Sequence, residues 1–131
     1  EINLAGEILD FSNDKKVNLI FPEDYKCVDA FKAPTFFVES EPDFEKVLQL
    51  DLGPKTIENF KNTILSDGVE NVFWNGPLGA YDHPNNNDYA EGSLELAQLL
   101  FEEALTNQNF SAVIGGGDSA AILNKIVCYI K

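Results

Sequence analysis

At 131 residues and 44% apolar composition, the chain is long enough to bury a core of single-domain size. A formal charge of −13 excludes nucleic acid and anionic membrane as natural partners, and the absence of arginine leaves anions only backbone N–H groups, helix ends or lysines. Two cysteines (Cys27, Cys128) and one histidine (His83) supply neither a disulfide framework nor a zinc set, which reads as a reducing, cytoplasmic setting.

The chain starts at Glu1 with "EINLAGEILD", which lacks a signal-peptide pattern and suits a short helix or the tail of one. No apolar run reaches the roughly 18 residues of a membrane span. "KKVNLIF" (15–21), followed by Pro22, reads as a buried strand. "KCVDAF" and "TFFVES" read as shorter strands forming an excursion from the main sheet. In "LQLDLGPKT" (48–56), Asp51 and Gly53 read either as caps at a helix entry or as part of a ligand loop; Pro54 then opens a helix through Ile57, Phe60 and Ile64, with Gly68 as its stop.

"ENVFWN" (70–75) is a strand that ends in the turn Asn75-Gly76-Pro77. Asp88 and Glu91 have the spacing of a capping box ahead of a helix whose buried face is Ala97, Leu100, Phe101, Ala104 and Leu105. "FSAVIG" (110–115) is another strand, and Asp118 to Ile126 suits a helix. Strands alternating with helices predict an α/β fold: a Rossmann-like parallel sheet with helices on both faces. Ligands then bind at the carboxyl ends of the strands, where both "NGPLGAYD" and "GGGDS" fall.

The glycines of "GGGDSAA" let a ligand approach the backbone, and the following helix start attracts anions, with Asp118 for a metal and Ser119 for a phosphate oxygen. A plain strand-to-helix turn capped by Asp118 explains the same residues. The pattern Gly115-x-Gly117-x-x-Ala120 also fits a loose dinucleotide fingerprint, but the acid that should follow about 20 residues later has no room. No Walker lysine is present. "DHPNNND" has the outline of a calcium loop, yet Pro84 occupies a ligand position and the central glycine is missing. The sequon Asn109-Phe110-Ser111 reads as chance in a reducing compartment.

Taken in order, "LDLGPKT", "VFWNGPLGAYD" and "VIGGGDSAA", with "KVNLIFPEDYKCVDAF" ahead of them, resemble the phosphoglycerate kinase family from about Lys16 to Ile126. The resemblance implies that residues 1–131 are part of the C-terminal, nucleotide-binding domain. It implies ADP or ATP as substrate, Mg²⁺ as cofactor, and phosphoryl exchange with 3-phosphoglycerate and 1,3-bisphosphoglycerate held by an N-terminal domain outside the chain. By the same resemblance Asn75 contacts the phosphates, Gly76 and Pro77 shape that loop, Asp82 holds the ribose, and Leu50 flanks the adenine. Gly115, Gly116 and Gly117 line the phosphate path, Asp118 binds Mg²⁺, and Ser119 contacts a phosphate.

Four features depart from the family pattern. Gln49 stands where a glycine lies against adenine, and Asp82 replaces a glutamate. The Gly-Gly-Ala-Lys segment expected upstream and the Ser-Thr-Gly-Gly-Gly-Ala loop expected downstream are not in the chain. The expectation is therefore weak nucleotide binding without turnover by the chain alone; the competing reading is a divergent, inactive copy with a structural or interaction role.

Overall fold

The computed structural model describes residues 2–29, 34–39, 43, 45–82 and 89–129. The elements in order are α1 (Ile2–Lys15), β1 (Asp24–Val28), β2 (Phe36–Glu39), β3 (Leu48–Leu52), α2 (Pro54–Ile64), β4 (Asn71–Asn75), α3 (Glu91–Thr106), β5 (Ser111–Gly115) and α4 (Gly117–Tyr129). The chain is α/β, and its strands fall into two sheets.

β4 and β5 pair in parallel, from Asn71 opposite Ser111 to Asn75 opposite Gly115, with α3 as the crossover between them. A parallel pair requires such a crossover, because its strands run the same way. Side chains alternate along both strands. Val72, Trp74, Ala112 and Ile114 face a core completed by Leu96, Ala97 and Leu100 of α3, Phe110, and Ile122 of α4. The opposite face carries Phe73 and Val113, 71% and 58% exposed. A second helical layer over that face is not among the described residues.

The other sheet is antiparallel, in the order β2–β1–β3, with a register shift between Lys26 and Cys27. Its β1 and β2 overlap the strands anticipated at 26–31 and 35–40, with β1 starting two residues earlier and residues 30, 31 and 40 outside the described ones. It adds β3, which sequence reasoning read as a loop or helix entry. Leu50, Asp51 and Leu52 are all buried there, so β3 lacks the simple alternation that marks a strand.

Asp24 at the start of β1 caps α2 from a distance. Its carboxylate accepts hydrogen bonds from the backbone N–H groups of Lys55 (3.1 Å) and Thr56 (2.8 Å) and from the Thr56 hydroxyl (2.6 Å). Thr56 Oγ1 in turn accepts the N–H groups of Glu23 and Asp24. Orphan donors of a helix N-terminus are thus satisfied by a neighbouring strand rather than by the local N-cap, Gly53, which makes no side-chain bond. Pro54 takes the first helical position as anticipated, and Gly68, at φ +91°, turns the chain shortly after the helix ends.

Two expectations are corrected. Residues 17–22 form no strand; Val17 and Phe21 are 53% and 64% exposed, with no sheet neighbour to receive their backbone groups. An apolar run signals burial, but a strand also needs a partner edge. In α3, Ala97 and Leu100 are buried as anticipated, but Leu96 completes that face, while Phe101, Ala104 and Leu105 are exposed because the last turns of the helix run past the core. The capping-box reading involves Asp88, which lies outside the described residues, and α3 begins after Ala90.

Candidate nucleotide site at the edge of the parallel pair

Because β4 and β5 are parallel and in register, their last residues, Asn75 and Gly115, sit side by side. The loops that leave them, 76–80 and 116–117, therefore start together at one edge. Gly76 and Gly116 have φ of +96° and +88°. Both turns use the left-handed region that a side chain disfavours. Asn75 leans across the gap: its Oδ1 would lie 3.2 Å from a Cβ added at either Gly115 or Gly116.

Buried groups pin the first loop along its length. Ser119 and Ser93 are each 0% exposed. Ser119 Oγ accepts the N–H of Gly76 (2.9 Å), and Ser93 Oγ accepts the N–H of Leu78 (2.9 Å). The indole N–H of Trp74 donates to the Gly76 carbonyl (2.6 Å), and Ala80 N–H donates to the Leu50 carbonyl (2.7 Å). The loop is held open-edged by bonds to α3, α4, β3 and its own strand. Sequence reasoning had no means of finding Ser93, because its partner is fifteen residues away and lies in a turn.

Asp51 is the second buried support. It is 1% exposed, and its carboxylate accepts the N–H groups of Leu52 (2.8 Å) and of Gly92 (3.0 Å) in the first turn of α3. Burial pushes its carboxyl above the usual carboxylate range, while these N–H groups and the nearby Lys26 ammonium pull the other way. Lys26 also pairs with Glu91 at 3.0 Å, at the start of the same helix. Gly79 passes so close that an added Cβ would lie 2.6 Å from the Asp51 carboxylate. Asp51 is therefore a strut between β3, the loop and α3, and the cap it provides belongs to α3, not to α2.

The remaining predicted residues fall as follows. Leu50 is buried against Val28, Tyr89 and Ala80, while its neighbour Gln49 is exposed. Pro77 and Asp82 are exposed on the loop. Gly117 opens α4, whose first N–H groups have no partner within the helix. Asp118 is exposed in that first turn, and its Oδ1 accepts a hydrogen bond from the Tyr81 hydroxyl (2.8 Å). That bond keeps the Tyr81 hydroxyl above the ordinary phenol range. Ser119 is buried, with its hydroxyl turned inward onto Gly76. Among the described residues no cluster of three acid, histidine or cysteine side chains could cage a metal. A lone exposed carboxylate suits Mg²⁺, which keeps most of its waters and takes one or two carboxylates beside substrate phosphates.

A family model described as phosphoglycerate kinase matches residues 1–130. The chain belongs to the phosphoglycerate kinase family. It is 37% identical over 125 residues to the phosphoglycerate kinase of Plasmodium falciparum, covering 93% of this chain and 28% of that protein. It is 39% identical over 129 residues to the enzyme of Oenococcus oeni, covering 96% of this chain and 29% of that one. The solved structure of phosphoglycerate kinase from Coxiella burnetii superposes with a TM-score of 0.77 at 22% identity, over 98% of this chain and 31% of that one, which establishes the shared fold. The chain thus spans about 30% of the length of the phosphoglycerate kinases it matches. Among the described residues no helix is long and apolar enough to cross a membrane.

Proposed function

We propose that this chain is the nucleotide-holding portion of a phosphoglycerate kinase C-terminal domain, taking ADP or ATP with Mg²⁺ for reversible phosphoryl transfer to and from 1,3-bisphosphoglycerate. The observation that carries this reading is the convergence of the Asn75–Ala80 loop and the Gly115–Ser119 turn at one edge of the parallel pair, joined by the Gly76–Ser119 hydrogen bond.

Phosphoryl transfer needs positioning and charge stabilisation more than covalent help from the protein. Here the first N–H groups of α4, which have no partner within the helix, supply partial positive charge toward phosphates. Asn75 offers its amide beside them, and Asp82 a carboxylate for ribose hydroxyls. Leu50, with the backbone of β3, forms the wall against the base, and exposed Gln49 narrows the approach. Ser119 acts through Gly76, whose turn it holds in place. Mg²⁺ bound at Asp118 would offset the repulsion between nucleotide phosphates and so acidic a chain. The phosphoglycerate side of the reaction would come from the N-terminal domain, in a cytoplasmic setting.

Calorimetry with ADP in the presence of Mg²⁺ tests the reading. Weak, Mg²⁺-dependent binding is expected, and Asp118→Asn should abolish the metal dependence. No turnover is expected from the chain alone, since the acceptor-binding groups are not in it. Failure to bind ADP with Mg²⁺ at millimolar concentration would favour the inactive, structural copy instead.

A further inference from the structure

Asp118 is the carboxylate this proposal gives to Mg²⁺, and it does not stand free. Tyr81, from the loop after β4, reaches across to the first turn of α4 and donates its hydroxyl proton to Asp118 Oδ1 at 2.8 Å. The bond joins residues 37 positions apart, so it forms only because the parallel pair brings the two loops to one edge. The Tyr81 ring is anchored, partly buried against the core that contains Trp74 and Ile122. Its backbone N–H is tied to the Gly79 carbonyl at 2.9 Å. The hydroxyl is therefore delivered from a fixed base, not from a swinging surface side chain.

We infer that Tyr81 is a specificity-determining residue for the cation: by engaging Oδ1 of Asp118, it leaves that carboxylate to bind metal through Oδ2 alone. The inference rests on the proposed metal-holding role of Asp118. Mg²⁺ is small and octahedral, and it takes carboxylates through one oxygen while keeping several waters. Ca²⁺ accepts more oxygens at longer distance, and it gains from carboxylates that chelate with both. A cation using both Asp118 oxygens must share Oδ1 with the phenol or displace it, giving up a charge-assisted hydrogen bond. A cation using Oδ2 alone keeps that bond. The tyrosine thus penalises the larger ion without touching either one.

The test compares ADP binding in Mg²⁺ and in Ca²⁺, by calorimetry, for the full chain and its Tyr81→Phe variant. Far-UV circular dichroism checks that the variant keeps its fold. Removing one oxygen should lower the ratio of the Ca²⁺-ADP to the Mg²⁺-ADP dissociation constant by about three- to tenfold, the scale of one ordinary net hydrogen bond at a solvent-exposed site. If binding stays metal-dependent and the ratio does not move, Tyr81 does not select the cation, while the nucleotide reading stands. If the native chain binds ADP with neither cation, the nucleotide reading fails and takes this inference with it. If metal dependence survives Asp118→Asn, Asp118 does not hold the metal, and this inference falls while nucleotide binding stands. Loss of the native spectrum in Tyr81→Phe would make the hydroxyl a folding element, which also overturns the inference.

Discussion

Asp24 and Asp51 are both nearly inaccessible carboxylates, 2% and 1% exposed, yet burial leaves them in opposite conditions. For Asp24, burial alone would raise the pKa, but the Thr56 hydroxyl and the N–H groups of Thr56 and Lys55 outweigh it and hold the carboxyl below its ordinary value. For Asp51 burial wins. A depressed carboxyl adds stability that is complete above its unfolded value, about 3.9, and is lost as pH falls through the folded value. Asp24→Asn should therefore destabilise by about 1–3 kcal/mol near neutral pH, the scale of a lost bond to a buried group, as read in urea melts. The gap from the parent should shrink as the pH drops below about 4. A gap independent of pH would show that the cap acts by shape and not by charge. Neither carboxylate was identifiable as buried from sequence, since acids at a strand start and in "LDLG" look like turn residues until the strand partners are known.

The elements that hold the candidate site were legible in proportion to their periodicity. α2, β4 and β5 announced themselves through apolar spacing flanked by glycine, proline or polar turns, and so did the position of both loops at strand ends. The existence of α3 was legible too, but not its buried face, since Phe101, Ala104 and Leu105 near its C-terminus are exposed. β3 was hidden because its buried acid breaks the pattern, and residues 17–22 misled because apolar character cannot reveal whether a partner edge exists. Hydroxyl direction was out of reach altogether: Ser119 looks outward in any local reading and turns inward only because Gly76, 43 positions earlier, presents its N–H there. Ser119→Ala should leave that N–H without its partner and cost about 1–3 kcal/mol, measured by thermal or urea unfolding. Gly116→Ala, forced into φ +88°, should cost about 1–2 kcal/mol without removing any contact. If the loop matters to ligand as proposed, both variants also weaken ADP binding by more than their folding loss predicts at saturating stability.

At the scale of the molecule, apolar surface is distributed unusually. Phe73 and Val113 stand on the bare face of the parallel pair, and Leu4, Ile8, Leu9 and Phe11 of α1 are 45–61% exposed. Soluble monomers seldom leave contiguous apolar patches of this kind uncovered. A chain about 30% the length of its relatives has less interior to hide them in. The expected consequence is strong binding of a hydrophobic dye such as ANS by the native chain, cut sharply by Phe73→Ser with Val113→Thr. Dye binding unchanged by that pair would place the sticky surface elsewhere. The −13 charge works against aggregation, so added salt should lower solubility more steeply than for a neutral domain.

Trp74 is the chain's single tryptophan, 6% exposed, with its indole N–H bonded to the Gly76 carbonyl. The residue that anchors the loop from below is therefore also a chromophore inside it. Its emission should be blue-shifted and poorly quenched by acrylamide in the resting chain. Any event that pulls Gly76 away, whether a ligand drawing on the loop or the first local opening during unfolding, should shift that emission before circular dichroism registers a change. The molecule carries its own optical gauge at the turn where the two loops are tied together.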